Sequence, residues 1–201
     1  MKDLLVEKLP DHILTIHDAS DLYIVDYKHI SGGEVRLFEQ EPQDVNYVYL
    51  ENENEVEVCF DAFGENALEI ETGLYSRQCE CLLFPTSCAD KDWILFIETK
   101  YTNDITSAFK EENNYPNSMI AQILDTVEYF RTNEIIGEKR RVHAIVSFPT
   151  LIQAFDAAFF GREVIYNEKC YASMMDILLE YQVLIRATNS GKIISPKRLK
   201  I

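Results

Sequence analysis

The chain predicts an α/β fold: a mixed central β-sheet flanked by helices. Three observations carry that expectation. Strand-like segments follow one another at 67–75, 78–84 and 93–101, a helix with one apolar stripe then covers about 119–132, and a short apolar strand occupies 141–148. A run of strands, a helix and a further strand is the order produced by a meander with one helical crossover. With 201 residues, 47% of them hydrophobic and 11% aromatic, the chain suits one domain with a substantial core.

The elements follow in order. The opening residues, Met1 to Glu7, lack the apolar centre of an export signal, and no apolar run reaches the roughly 18 residues of a membrane helix. Five cysteines without regular spacing point to reduced thiols. Both features predict a cytoplasmic protein without a membrane partner. Strand-like pieces at 13–16 and 22–25 flank a turn at 18–21, and Ser31-Gly32-Gly33 interrupts the pattern. Residues 45–50 and 56–60 alternate as half-buried strands do, around the polar turn 51–54, which predicts a hairpin.

Pro85 and the Asp90-Lys91-Asp92 run separate the second and third strands of the meander. Ser118 caps the helix, whose stripe is Ile120, Ile123, Leu124, Val127 and Phe130. Pro149 stops the strand 141–148, and Thr150 caps a second helix, 151–160, that Gly161 ends. A third helix spans about 171–181. The close of the chain, 183–187 and 192–194 around Asn189-Ser190-Gly191, predicts a β-hairpin.

The net charge of −15 is unevenly spread. Residues 1–100 hold 22 acids and 7 bases, whereas residues 101–201 hold 12 of each, so the excess lies in the first half. Its densest run is Glu34, Glu39, Glu41, Asp44, Glu51, Glu53, Glu55 and Glu57, relieved only by Arg36. Such a surface keeps a protein soluble and repels phosphate backbones. A nucleic acid would have to be accepted by the neutral second half or through a metal ion.

One strand stands out. Ile94, Leu95, Phe96 and Ile97 lead directly into Glu98-Thr99-Lys100. Side chains alternate along a strand, so Glu98 and Lys100 share a face with Ile94 and Phe96. A carboxylate and an ammonium at the end of an apolar strand are costly to bury without a partner or a task. The strand before it carries one acid, Glu80, on the face of Leu82 and Phe84.

Glu80 followed by Glu98-Thr99-Lys100 resembles the signature of the PD-(D/E)XK nuclease superfamily, over roughly residues 67–160. The resemblance implies a restriction-endonuclease-like core, with 1–60 as an acidic β-rich extension and 161–201 as an added helix and hairpin. It implies Mg²⁺- or Mn²⁺-dependent phosphodiester hydrolysis, with DNA rather than RNA as substrate, in repair or defence. By position, Glu80, Glu98 and the Thr99 carbonyl become metal ligands and Lys100 the catalytic cation. The chain departs from the family in having glutamate for the first acid, one methylene longer, and in lacking the proline-aspartate dipeptide. Glu65, Glu69 and Glu71 are all candidates for the family's helix glutamate. Gln122 matches a helix glutamine, but it lies about 140° from the stripe's centre at Val127, turned from the core.

Other constellations offer less. Cys79 and Cys81, with Cys88, lack the spacing of a zinc site and read as core thiols opposite Glu80. His143 reads as a satisfied strand histidine, and His12, His17 and His29 have no evident partner. Neither a glycine-rich phosphate loop nor a nucleophile elbow is present. Lys139, Arg140 and Arg141 are the candidate phosphate contacts, with Lys192, Lys197, Arg198 and Lys200 beside them. Two functions from different classes follow: a metal-dependent nuclease, and a catalytically inactive nuclease-like scaffold whose acidic half docks a basic protein partner.

Overall fold

The computed structural model describes residues 1–10, 12–102, 104–108, 110, 115–151 and 163–201, with the backbone alone at 29, 30 and 105. The first half contains α1 (Lys2–Lys8), β1 (Leu14–His17), β2 (Asp21–Asp26), α2 (Lys28–Ser31), β3 (Val35–Phe38), β4 (Val48–Glu51) and β5 (Val58–Ala62). The middle adds β6 (Glu69–Glu71), β7 (Leu74–Tyr75), β8 (Cys81–Pro85), β9 (Leu95–Thr99), α3 (Ile105–Ala108) and α4 (Asn117–Thr132). The rest is β10 (Val142–Ser147), β11 (Val164–Tyr166), β12 (Lys169–Tyr171), α5 (Met174–Tyr181), β13 (Val183–Ala187), β14 (Ser190–Ser195) and β15 (Arg198–Lys200).

The central sheet has the order β1-β5-β8-β9-β10-β13. Its strands are antiparallel from β1 to β9 and parallel from β9 through β10 to β13. Helix α4 lies between β9 and β10 in the chain and supplies the crossover that a parallel pair requires. A second sheet, β15-β14-β4-β2-β3, covers one face of the first.

Strand alternation builds the three layers. Cys81, Leu83, Leu95, Ile97 and Ile145 point to the second sheet and meet Leu22, Ile24, Leu50 and Ile193. Leu82, Phe84, Phe96, Ala144 and Val146 point the other way, onto Ile120, Ile123, Val127 and Phe130 of α4. Phe96 meets Phe130 edge-on, with ring centroids 5.5 Å apart. Because β8 and β9 are covered on both faces, every residue in them is buried, which is why each reads as an unbroken apolar run.

Several expected pairings differ. The segments 45–50 and 56–60 form no hairpin: β4 joins the second sheet and β5 the central one. The stretch 67–75 is not one strand but the small hairpin β6–β7, turning at Gly73 (φ +77°). The first strand of the meander is therefore β5. At the C-terminus β13 stays in the central sheet while β14 runs parallel to β4, so the hairpin is β14–β15 instead. Residues 21–51 and 190–200 thus share one layer. The third helix starts at Met174, after β12, with a capping box of Ser173 and Asp176. Helix α4 starts at Asn117, with Pro116 rather than Ser118 at its N-cap. The expected helix 151–160 and its Gly161 stop lie outside the described residues.

Asn52 makes the crossing from β4 to β5 possible. It is fully buried, its Nδ2 donates to Ala19 O (2.9 Å) and Val56 O (3.1 Å), and its Oδ1 accepts from Val56 N–H (3.0 Å). Asn52→Ala should cost about 2–3 kcal/mol, because buried backbone groups lose their partners. Urea unfolding of the variant against wild type measures that loss.

Candidate functional site

Strands β8 and β9 are antiparallel neighbours with Cys81 opposite Ile97, so the next pair along is Glu80 and Glu98. The Glu80 N–H donates to Ile97 O at 3.0 Å and holds that register one residue before β8 begins. Both acids lie on the face of Leu82 and Phe96, which is the helix side. Lys100 follows two positions later on the same face. Its N–H donates to Ser147 O (2.9 Å), so the ladder to β10 continues past β9 and anchors it.

Three of the sequence-selected side chains therefore meet. Lys100 Nζ lies 2.6 Å from Glu98 Oε1 and 3.5 Å from Glu80 Oε1. A second lysine completes the row: Lys28 Nζ donates to Glu80 Oε2 and to Phe63 O, both at 2.8 Å. With both acids ionised, the order Glu98, Lys100, Glu80, Lys28 alternates in sign. Its side chains are 0%, 12%, 7% and 24% exposed respectively, so the charges depend on each other for compensation.

Glu98 has the extreme environment. Burial pushes its carboxyl up to about 8 against the pull of Lys100, with Glu80 and Asp26 adding to the rise. Glu98 Oε2 is buried without a hydrogen-bond partner, while Oε1 is held by the Lys100 ammonium at 2.6 Å. For Lys100 burial works against the charge, but Glu98 and then Glu80 outweigh it and hold the ammonium above the usual lysine range.

Two residues at this site escape a local reading. Lys28 sits on α2, in the turn from β2 to β3, where its N–H donates to Asp26 Oδ1 (2.8 Å). Gly32 (φ +70°) and Gly33, whose Cβ would meet Tyr27 Cβ at 3.0 Å, let that turn close. A signal was present: Asp26-Tyr27-Lys28 after the apolar 22–25 repeats the acid-x-lysine ending of β9, and Asp26 is fully buried. Gln122 is the other. Its Nε2 donates to Gln78 O (2.9 Å), and it lines with Glu80 and Lys28 an open cleft of about 520 Å³. Gln122 faces protein although it lies off the apolar stripe, because α4 buries more than that stripe, including Met119, Ala121 and Thr126.

The remaining candidates scatter. Thr99 is buried, and its Oγ1 donates to Asp26 Oδ2 at 3.3 Å. Glu65 lines the cleft but is exposed; Glu69 accepts from Gly73 N–H (2.9 Å), Glu71 is exposed on β6, and none of the three lies on a helix. Lys139, Arg140 and Arg141 precede β10, whose Val146 is level with Glu98. Arg141 is thus about 16 Å along the strand from the acids, at the other end of the sheet. Arg140 instead ties the loop before β9 through the carbonyls of Ala89 and Asp92.

Cys81 faces the second sheet, but Cys79 lies on the helix side, where its N–H donates to Thr126 Oγ1 (2.9 Å). Strand alternation does not reach Cys79, because β8 begins at Cys81. His143 is not satisfied: its Nδ1 is buried without a partner, and burial, helped by Arg141 and Arg186, lowers its pKa. His12 does have a partner, Asp61 Oδ2 at 2.9 Å, on the strand beyond β8. His17 pairs with Glu39 at 2.8 Å on the surface.

Among the described residues no group of three His, Cys, Asp or Glu side chains is placed to hold a metal ion. The acidic oxygen donors that converge are those of Glu80 and Glu98. No protein-family model, curated protein or solved structure matches the chain.

The buried row makes stability depend on pH in a definite sense. A carboxyl raised by folding contributes most below its unfolded value, near 4.5 for glutamate, and loses that contribution as pH climbs through its folded value, about 8. Lys100→Met removes the cation that restrains the rise. Without that cation Glu98 keeps its proton to higher pH, so the loss should be about 2 kcal/mol larger at pH 9.5, where only the wild-type carboxylate is ionised beside its lysine, than at pH 5, where the carboxyl is protonated in both. Urea melts of variant and wild type at the two pH values test this; an equal loss at both excludes Glu98 as the cause.

Proposed function

We propose that the protein is a divalent-metal-dependent nuclease of the PD-(D/E)XK type. The observation that carries this reading is the meeting of Glu80, Glu98 and Lys100 on one face, at one end of adjacent strands. The strand order β5-β8-β9-β10, with α4 before the parallel strand, supports a restriction-endonuclease-like core. Nucleic acid, DNA rather than RNA, is the proposed substrate and Mg²⁺ or Mn²⁺ the proposed cofactor.

The donor set fits such an ion. It consists of hard oxygens, and Glu98 brings one buried oxygen, Oε2, without a hydrogen-bond partner. Glu80, Glu98 and the Thr99 carbonyl would hold the ion, which when bound supplies a Lewis acid for a phosphoryl oxygen and acidifies a water. Lys100 contributes a fixed positive charge. Held between two carboxylates it keeps its proton at neutral pH, so it does not act as a general base in this state. Its part is to orient the attacking water and to offset charge developing on the phosphate. Gln122, on the cleft wall beside Glu80 with its Nε2 held by Gln78 O, would contact substrate through its amide oxygen.

Lys28 on Glu80 and the charge of −15 favour a second reading, a nuclease-like scaffold without catalysis that docks a basic protein. Cleavage of single- and double-stranded DNA and of RNA in Mg²⁺ separates the two. Glu98→Gln and Lys100→Ala should each lower cleavage by about 10²–10³-fold while unfolding stays cooperative. Wild-type protein that cleaves none of the three, and whose melting temperature ignores Mn²⁺, overturns the enzyme and leaves the docking module.

A further inference from the structure

We propose that Lys28 is a built-in counter-cation, competing with the divalent ion for Glu80 and swinging into the adjoining cleft to meet a substrate phosphate once the ion is bound. The proposal rests on the metal-site reading above. Both oxygens of Glu80 face an ammonium: Oε2 has Lys28 at 2.8 Å and Oε1 has Lys100 at 3.5 Å. The two lysines already compensate Glu80 and Glu98, so a divalent ion placed there would bring two further positive charges beside two ammonium groups. One lysine has to withdraw.

The surroundings decide which. Lys100 continues the ladder to β10, contacts both acids and is 12% exposed. Lys28 contacts one acid and the Phe63 carbonyl, is 24% exposed, and stands at a turn rather than in a sheet. Its backbone is held by Asp26, so the movement belongs to the side chain, whose four-carbon stem is flexible. The open cleft of about 520 Å³ lies beside it, lined also by Arg77, Ser118 and Gln122. Arg77 is paired with Asp125. A Lys28 released from Glu80 is therefore the base that the cleft would offer to a phosphate.

Mn²⁺ binding, followed by electron paramagnetic resonance of the free ion at pH 7, tests the competition. Lys28→Met, which keeps the stem and removes the charge, should bind Mn²⁺ about tenfold more tightly or better. Lys28→Gln should do the same, and Lys28→Arg should stay near wild type. Equal or weaker binding by the two uncharged variants overturns the proposal while leaving the metal site intact. Absence of binding in wild type and all variants removes the metal-site reading and this proposal with it.

The movement is tested on wild-type protein by acetylation of lysines. Lys28 should label faster when Mn²⁺ is added, and a thymidine dinucleotide with Mn²⁺ should slow it again. No gain with Mn²⁺ overturns the release of Lys28, and no protection by the dinucleotide overturns its contact with phosphate.

Discussion

A carboxylate with no exposure to water, Glu98, constrains everything around it. It sits in a strand packed on both faces, so solvent cannot compensate its charge, and it either keeps its proton or relies on a cation. Lys100, two residues on, reaches it because strand side chains repeat every second position. That one ammonium is shared with Glu80, which then takes a cation of its own from the turn at Lys28. The site thereby ties a connection of the second sheet to the edge of β8 in the central one. Removing one member of such a row leaves the others buried and unbalanced, a cost on the order of several kcal/mol.

The same two-sided burial explains the polar residues elsewhere in the core. A chain that passes between packed sheets leaves backbone groups that no ladder satisfies. Asn52 serves that purpose where β4 gives way to β5. Asn189 serves it between β13 and β14: its Oδ1 accepts from Ser147 Oγ (2.6 Å) and Phe148 N–H (3.1 Å), and its Nδ2 donates to Phe148 O (3.0 Å) and Leu151 O (2.9 Å). Ser147 in turn accepts from the Lys100 N–H. The latch at the second crossing is thus one residue removed from the site, and the rigidity of one supports the placement of the other.

The charged groups fall at opposite ends of the central sheet. The acids and lysines of the site lie where β8 begins and β9 ends, while Lys139, Arg140 and Arg141 lie at the opposite end of the sheet. Arg140 is engaged with backbone carbonyls there. Bases that cluster in the sequence are therefore remote from the buried acids, whereas Lys28, isolated among the acids of the first half, pairs with one of them.

The sequence by itself determined the properties that depend on neighbours a few residues apart. The shared face of Glu98 and Lys100, the apolar strands within 78–84 and 93–101 and the helix before β10 follow from periods of 2 and 3.6, which are local. Tertiary structure decided which strands pair and which distant side chain completes the charge row. Segments 45–50 and 56–60, like 183–187 and 192–194, have the same alternation whether they pair together or divide between two sheets. Lys28 meets Glu80 across 52 residues, and Gln122 meets Gln78 across 44. Such contacts come from chain closure around a common core, whose geometry leaves no mark in the local pattern of residues.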